Sequence, residues 1–495
     1  MITKTGIEYS ENSDLSNSST IEENGTVNSI TIPSWTPGTD LYCQAYVIED
    51  GVRINSSIEH YGSPLGYFQL NNEYAGANTI TLTTSTAGSP TVGTYATSVE
   101  YSKDGENWTS ISLSVGSNQI YLEEGESVYL RNDNGYWNNY EEPFSVYYRT
   151  VITASQDFSV HGNIKALLDY TSNASLSNGC FSYLFQNATT LTNTPDLYET
   201  TLSDYCYDRM FAGCTSLTTI PSNLLPATTL ADCCYQGMFE HCTSLTTIPS
   251  NLLPATTLED VCYGGMFAHC TSLTTVPSNM LPATTLADSC YYNMFYDCTS
   301  LTTTPTFPAI TTAPDGSFEN MFADCTSLTT APVLPATTLG EGCYRGMFYH
   351  CTSLTTIPSN MLPATTLEEN CYNSMFNNCT SLTTVPSNML PATTLADGCY
   401  TLMFRRARII KGPDLPATNL IGLTNCYSEM YRNCRSINEL SVYVNKPSDT
   451  DSNVSQNTNL MFDSVTTTGT LHNLGSAPNS DWSSIVPSGW TVVNS

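Results

Sequence analysis

The sequence carries few charges, and very few of them are positive. Lys and Arg together number 15 against 45 Asp and Glu, so the formal net charge is −30, while charged residues make up only 12% of the chain. Binding to nucleic acid or to anionic lipid depends on Lys and Arg that displace counterions from phosphates. We therefore expect neither nucleic acid nor a bare membrane surface as a partner.

Long apolar runs are also absent. No stretch approaches the roughly 20 apolar residues of a membrane-spanning helix, and the opening residues MITKTGIEYSENSDLSNSST contain no signal-peptide core. If Met1 is the native start, this predicts folding in a cytoplasm without membrane insertion.

The motifs of common catalytic sites are missing. HExxH, GxSxG, a Walker loop and GxGxxG do not occur, and the chain has six His. The remaining carboxylates are scattered and do not suggest a glycosidase pair. We predict a protein that is not an enzyme and binds no cofactor. A polysaccharide-active enzyme with its site in residues 71–160 remains an alternative.

What the sequence does contain is an internal repeat marked by Met-Phe. A complete unit reads CYxxMFxxCTSLTTIPSNLLPATTLAD, as in Cys206–Asp232, and successive markers are 26 to 28 residues apart. An imperfect leading unit starts near Phe181. The Met residues of the markers are Met210, Met238, Met266, Met294, Met321, Met347, Met375, Met403 and, before a Tyr, Met430. Such a period is typical of leucine-rich-repeat-like solenoids, in which stacked units share one core.

Each unit divides into three local patterns. Cys206, Met210 and Cys214 stand at i, i+4 and i+8, which predicts a short helix facing the core. TSLTTIP predicts a brief strand that closes at Pro221, and the Pro of LLPATTL predicts a turn. The expected fold class is mainly β with short helices, a leucine-rich-repeat-like solenoid preceded by small β-sandwich modules.

Composition and the pattern of apolar residues divide the chain into five regions. Residues 1–25 are polar and expected to be flexible, 26–70 alternate apolar and polar side chains as a β segment does, and 71–160 are short runs parted by turn signals, as in a β-sandwich-like module. Residues 161–440 hold the repeat array. Residues 441–495 are expected to form a C-terminal cap, in which Trp482 and Trp490 cover the last unit.

The repeats resemble BspA-type leucine-rich repeats of surface proteins from gut and oral bacteria. The resemblance is carried by Met210–Leu217, MFAGCTSL, and by Pro221 after the predicted strand. VEYSKDGENWTSISL, GESVYLRND and FSVHGNIKALLDY resemble the β module that precedes such arrays in gut Bacteroidales and their phages, and PSGWTV is similar to their usual end. PSWTPGTDLYCQAYV resembles part of a fibronectin type III strand pair.

This resemblance implies a phage virion structural or fibre protein, in a head or tail appendage, that attaches to a bacterial surface glycan or protein. Other virion proteins would bind the N-terminal modules, and a homotrimeric fibre is expected by analogy alone. The alternative is a bacterial cell-surface adhesin. Bacterial members carry an export signal and often a lipoprotein Cys near the N-terminus, whereas the first cysteine here is Cys43. The expected location is therefore a virion, assembled in the host cytoplasm and exposed outside.

Two sets of repeated residues are candidate packing positions. Cysteines eight residues apart on a helix would be about 12 Å apart, too far for a disulfide or a shared zinc. We predict reduced core thiols, with metal binding or disulfides between units as alternatives; Ser317 and Ala407 replace Cys in two units. A recurrent Tyr is predicted to be core, or, if exposed, a stacking surface for a glycan. These residues are Tyr207, Tyr235, Tyr263, Tyr291, Tyr344, Tyr372 and Tyr400.

Two further sets are polar. The position before the second Cys of each unit, called the polar column below, holds His241, His269, Asp297, Asp324, His350 and Asn378. Stacking at about 5 Å would let these side chains hold a metal, although we prefer an exposed position open to any polar residue. Carboxylates before the first Cys are predicted to cap helix N-termini. They are Asp232, Glu259, Asp260, Asp288, Glu341, Glu368, Glu369 and Asp397.

Overall fold

The computed structural model describes residues 2–10, 19–24, 41–49, 52–61, 68–87, 95–133, 135–141, 146–170, 175–420, 422–444, 457–475, 482–483 and 485–494. The protein is mainly β, and 2% of it is helical. It divides into two compact units. The first comprises Met1–Thr150, Ala154–Ser175 and Asn193–Leu197, and the second Val151–Thr153, Leu176–Thr192 and Tyr198–Ser495.

The first unit begins with a four-stranded antiparallel sheet in the order β2-β1-β3-β4. Its strands are β1 (Ile2–Ser10), β2 (Ser19–Asn24), β3 (Leu41–Glu49) and β4 (Val52–Tyr61). Residues 1–25, which were predicted to be flexible, contain β1 and β2. β1 pairs with β2 on one side and β3 on the other, so ladder hydrogen bonds order a polar segment. In the segment that resembles a fibronectin type III strand pair, residues 33–40 lie outside the described residues.

Two more sheets are formed by strands between residues 68 and 162. This range nearly coincides with residues 71–160, where a β module was expected. The orders of the two sheets are β13-β5-β10-β7-β8 and β11-β12-β6-β9. Burial alternates along β5 and β10, where Phe68, Leu70, Val128 and Leu130 are enclosed. The strands are β5 (Phe68–Asn72), β6 (Asn78–Ala87), β7 (Ser98–Ser102), β8 (Thr109–Ser112), β9 (Gly116–Leu122), β10 (Ser127–Arg131), β11 (Asn139–Glu141), β12 (Val146–Ala154) and β13 (Phe158–Gly162). A single 3-10 turn, Ile164–Leu167, follows β13 and is capped by Asn163.

The second unit contains the repeats, and the helix predicted for CYxxMFxxC is wrong. Backbone N–H groups in this segment alternate between two acceptors. The N–H of Cys206 donates to Ser203 O at 3.2 Å, three residues earlier, whereas the N–H of Tyr207 donates to Cys234 O of the next unit at 3.0 Å. The segment is a run of tight turns hydrogen-bonded to its neighbour.

A left-handed residue at every fourth position shapes this run. Tyr205, Arg209 and Gly213 have φ of 58°, 48° and 77°. An α-helix admits no such residues, but a period of four buries i, i+4 and i+8 just as a helix does. Cys206 and Met210 are accordingly fully buried, and so the sequence pattern imitated a helix.

The strand predicted for TSLTTIP is reduced to isolated parallel bridges between units. Thr247 bridges Thr275 in this segment, and Thr257 bridges Thr285 in the PATTL segment, which was expected only to turn. In two units the PATTL bridge extends to a short parallel pair, β14 (Thr312–Ala313) with β15 (Thr338–Leu339).

Two columns of stacked rings fill the interior between units. Phe239 lies 5.5 Å from Phe211 and 5.5 Å from Phe267, measured between ring centroids. The recurrent Tyr forms the other column, with Tyr207 and Tyr235 at 5.8 Å and both 1% exposed. The prediction that these Tyr are core is confirmed, so the alternative of a Tyr glycan surface at these positions is wrong.

The array continues past the boundary expected at residue 440. Met461-Phe462 is another marker: the N–H of Tyr431 donates to Met461 O at 3.2 Å, and the Phe462 ring lies 6.3 Å from that of Tyr431. β16 (Glu439–Val442), β17 (Gly469–Asn473) and β18 (Trp490–Asn494) then pair in parallel. Trp490 is buried, and its ring lies 5.4 Å from that of Phe462.

Candidate functional site

The cysteines of the repeats are free thiols, and those described are buried. The second thiol of a unit donates to a carbonyl of a neighbouring unit; Cys242 Sγ, for example, lies 3.2 Å from Phe211 O. Burial raises the pKa of the Cys234 thiol to about 12. A protonated, enclosed thiol is a poor nucleophile and a poor metal ligand, so these side chains act in packing.

Several of the aspartates before the first Cys contact the next unit instead of capping a helix, since no helix begins there. Asp260 N–H donates to Asp232 Oδ1 at 3.2 Å, and Asp288 N–H donates to Asp260 Oδ1 at 3.1 Å. The ladder continues through Asp315, whose N–H donates to Asp288 Oδ1 at 3.1 Å. Each carboxylate thus satisfies a backbone donor of the next unit. The sequence correctly marked a place where acidic side chains accept from backbone N–H groups, but these groups belong to the next unit and not to a helix.

Every residue of the polar column has a left-handed backbone. Its φ angles run from 56° at Asp297 to 65° at Asn378, with His241 at 60° and His269 at 61°. Asn, Asp and His tolerate this conformation better than other residues with a Cβ. Other units place Asn187, Gly213, Arg406 and Asn433 there, also at positive φ. The backbone conformation therefore favours Asn, Asp, His or Gly at this position, although one unit holds Arg406 there.

The structure also brings neighbours in the polar column into direct contact. The imidazole rings of His241 and His269 are parallel, with centroids 4.2 Å apart. His269 Nδ1 lies 3.0 Å from Asp297 Oδ2. His350 Nδ1 lies 2.5 Å from Asp324 Oδ1, so the column forms two separate groups of hydrogen-bonded or stacked side chains.

A cleft of about 320 Å³ opens beside the second of these groups, and we call it the tyrosine cleft. Its aromatic walls are Tyr296 and Tyr349, of which Tyr349 is 38% exposed. Sequence reasoning missed both residues, because they are not repeated. The signal was an aromatic residue at a position where the other Met-Phe and Met-Tyr units hold Ala, Glu, Asn, Arg or Asp. The cleft is lined by Tyr296, Asn320, Ala323, Asp324, Arg345, Gly346, Tyr349, Asn373 and Ser374.

Neighbouring side chains fix the polar groups of the cleft through hydrogen bonds and an ion pair. Asp324 accepts hydrogen bonds from His350 and from the Tyr296 hydroxyl. The pKa of Tyr296 is raised mainly by burial and secondly by the negative charge of Asp324. Arg345 Nη2 lies 2.6 Å from Glu319 Oε1 while its side chain stays half exposed. Gly346 has φ 61°, and a Cβ there would collide with the side-chain oxygen of Asn320.

This arrangement can bind a polar ligand with a flat apolar face. Two aromatic rings, a guanidinium, a carboxylate and amide groups converge on one concave surface, which is the mixture that orients a sugar by stacking and hydrogen bonding.

Comparisons with family models, with curated proteins and with solved structures find no match to this chain. Among the described residues, none belongs to a helix with the length and apolarity needed to cross a bilayer.

Proposed function

We propose that the protein is a non-enzymatic attachment protein whose repeats form one solenoid and bind a saccharide of a bacterial surface. The observation that carries the proposal is the unbroken stacking of rings between units, which runs from Phe185 on Phe211 to Tyr431 on Phe462. Because the same buried rings pack between every pair of successive units, the units share one core. Such a continuous core suits a structural scaffold.

The setting we propose is a phage virion, as a fibre or as an appendage of head or tail. Support comes from the resemblance of the repeats and of the β module to proteins of gut Bacteroidales and their phages. Mass spectrometry of purified virions tests this setting: the chain should be present in stoichiometric amounts. A bacterial cell-surface adhesin is the alternative, and finding the chain only in an envelope fraction of uninfected cells would favour it.

The tyrosine cleft is the proposed saccharide site. Stacked on Tyr349, a sugar ring would place hydroxyl groups within reach of Arg345 and Asp324. Each site of this kind binds weakly, but several copies in an assembly would add through effective concentration.

Binding of the purified chain to capsular or cell-wall polysaccharide of the host tests this site. Tyr349→Ala and Arg345→Ala should each weaken binding about tenfold, because removing a central aromatic or Arg contact typically costs more than about 1 kcal/mol. Tyr198→Ala is the matched control, since Tyr198 is 41% exposed but does not line the cleft. Equal losses in all three variants, or release of reducing ends by the wild type, would refute a non-enzymatic cleft site.

A further inference from the structure

Outside the tyrosine cleft, three side chains from two successive units meet at the surface. Glu240 and His241 belong to one unit and His269 to the next, and one ligand atom from each lies within 4.8 Å of the other two. His241 Nε2 is 3.8 Å from Glu240 Oε1, and the two imidazole rings stack at 4.2 Å. Two nitrogens and one carboxylate oxygen thus converge on one point.

The backbone fixes this convergence without help from a ligand. His241 N–H donates to Ala268 O at 2.8 Å, and His269 N–H donates to Tyr296 O at 2.7 Å. These ladder bonds set the separation of the two histidines. Left-handed φ explains a short polar residue at each position, but it does not explain why two imidazoles face a glutamate. The neighbouring units have Gly213 and Asp297 in the same column.

Partners behind the three side chains orient them. His269 Nδ1 lies 3.0 Å from Asp297 Oδ2, which favours a proton on Nδ1 and leaves Nε2 with its lone pair free. Arg209 Nε is 3.2 Å from Glu240 Oε2, whereas His241 lies near the other oxygen, Oε1. A carboxylate behind a histidine is the usual support of a metal-binding imidazole. His350 has the same support from Asp324, so it is the second histidine and Glu240 that distinguish this cluster.

We propose that Glu240, His241 and His269 form a Zn²⁺ site that clips two successive units together. Zinc takes imidazole nitrogen and carboxylate oxygen at about 2.0 to 2.2 Å, and a water completes four ligands where the protein supplies three. Binding requires these side chains to rotate towards the ion, because their ligand atoms lie up to 4.8 Å apart and the two imidazole rings are parallel. Exposed fractions of 55% at His241 and 30% at His269 give the ion a path from solvent.

Titration of the full chain with ZnCl₂, followed by calorimetry, tests the proposal. We expect one site with Kd on the order of micromolar, about −8 kcal/mol. Co²⁺ in its place should give the visible absorption of a tetrahedral ion. His269→Asn and Glu240→Gln should each weaken Zn²⁺ binding at least tenfold, and Asn keeps the tolerance of left-handed φ at the histidine position.

His350→Asn is the matched control. His350 has φ 59° and pairs with a carboxylate as His269 does, but its column neighbours are Asp324 and Asn378 rather than a second histidine. Zn²⁺ binding should not change in this variant. A wild type that binds no Zn²⁺, or a loss in His350→Asn as large as in His269→Asn, would overturn the site. Because His241 is largely exposed, His241→Asn should remain folded and serves as a further variant; zinc should raise the melting temperature of the wild type but not of this variant.

Discussion

The carboxylate of Asp208 lies 3.0 Å from the guanidinium of Arg209, although the Asp208 side chain is only 3% exposed. Burial raises the pKa of Asp208 to about 7, while the positive charge of Arg209 acts in the opposite direction and does not outweigh it. Asp208 is therefore a carboxyl whose protonation is coupled to folding.

This coupling predicts a pH dependence of stability. The folded-state pKa of about 7 exceeds the ordinary value of 3.8, so the contribution to stability is complete below about pH 4 and is lost as the pH rises to about 7. Relative to Asp208→Asn, the wild type should lose up to about 1.4 kcal/mol of unfolding free energy per pH unit in that window. Denaturant unfolding of both proteins between pH 4 and 8 measures this difference, and a difference independent of pH would contradict it.

Ser317 occupies the position of Cys290 and Cys343 and is fully buried. Its hydroxyl has no hydrogen-bond partner among the described residues, and an unsatisfied buried donor costs about 1 to 3 kcal/mol. Ser317→Cys, which restores the residue of the repeat, should raise the unfolding free energy by about 1 kcal/mol. The reverse change, Cys290→Ser, is the matched control and should lower it. A destabilised Ser317→Cys would show that the hydroxyl has a role in the fold.

Removing one ring from the interior tests the continuity of the core. Phe267 is fully buried between Phe239 at 5.5 Å and Phe295 at 5.7 Å. Phe267→Ala should cost about 3 to 5 kcal/mol, through lost burial and the cavity that remains. Tyr349→Ala, on the surface, should change stability by less than about 0.5 kcal/mol. Similar thermal shifts in the two variants would argue against a shared interior.

At the positions with positive φ, glycine should be more favourable for stability than a residue with a Cβ, the reverse of its usual effect. Gly265 has φ 62° and a Cβ added there would meet nothing within 4 Å, so Gly265→Ala isolates the backbone cost of about 1 to 2 kcal/mol. Val261 has φ 56° despite its branched side chain, and Val261→Gly should stabilise the chain or leave it unchanged. Melting temperatures of the two variants test this prediction. An unchanged melting temperature for Gly265→Ala would contradict it.

The buried thiols should resist labelling. Cys234 is fully buried with a pKa raised to about 12, so at pH 8 only about one molecule in ten thousand carries a thiolate there. A disulfide reagent should modify Cys234 only after denaturant is added, as followed by peptide mass. An introduced Tyr349→Cys provides the fast reference, and equal rates at both positions would exclude the packing described above.

Part of this structure was predictable because the repeat is written directly in the sequence. The spacing of Met-Phe identified units, and the recurrence of Tyr235 and Cys234 identified core positions, since only residues facing a shared interior repeat so strictly. The element type was not predictable. A chain of turns with a left-handed residue every fourth position buries the same residues as a helix, and the two differ only in where the N–H groups donate.

The sites depended on facts that no repeat pattern contains. Tyr296 and Tyr349 are departures from the repeat in units separated by one other, and they line one cleft only because the units stack. The sequence by itself determined the period, the buried columns and the polar character of the position held by His241 and His269. Only the tertiary structure decided which polar side chains meet, because contacts between residues 28 apart depend on how one unit is hydrogen-bonded to the next.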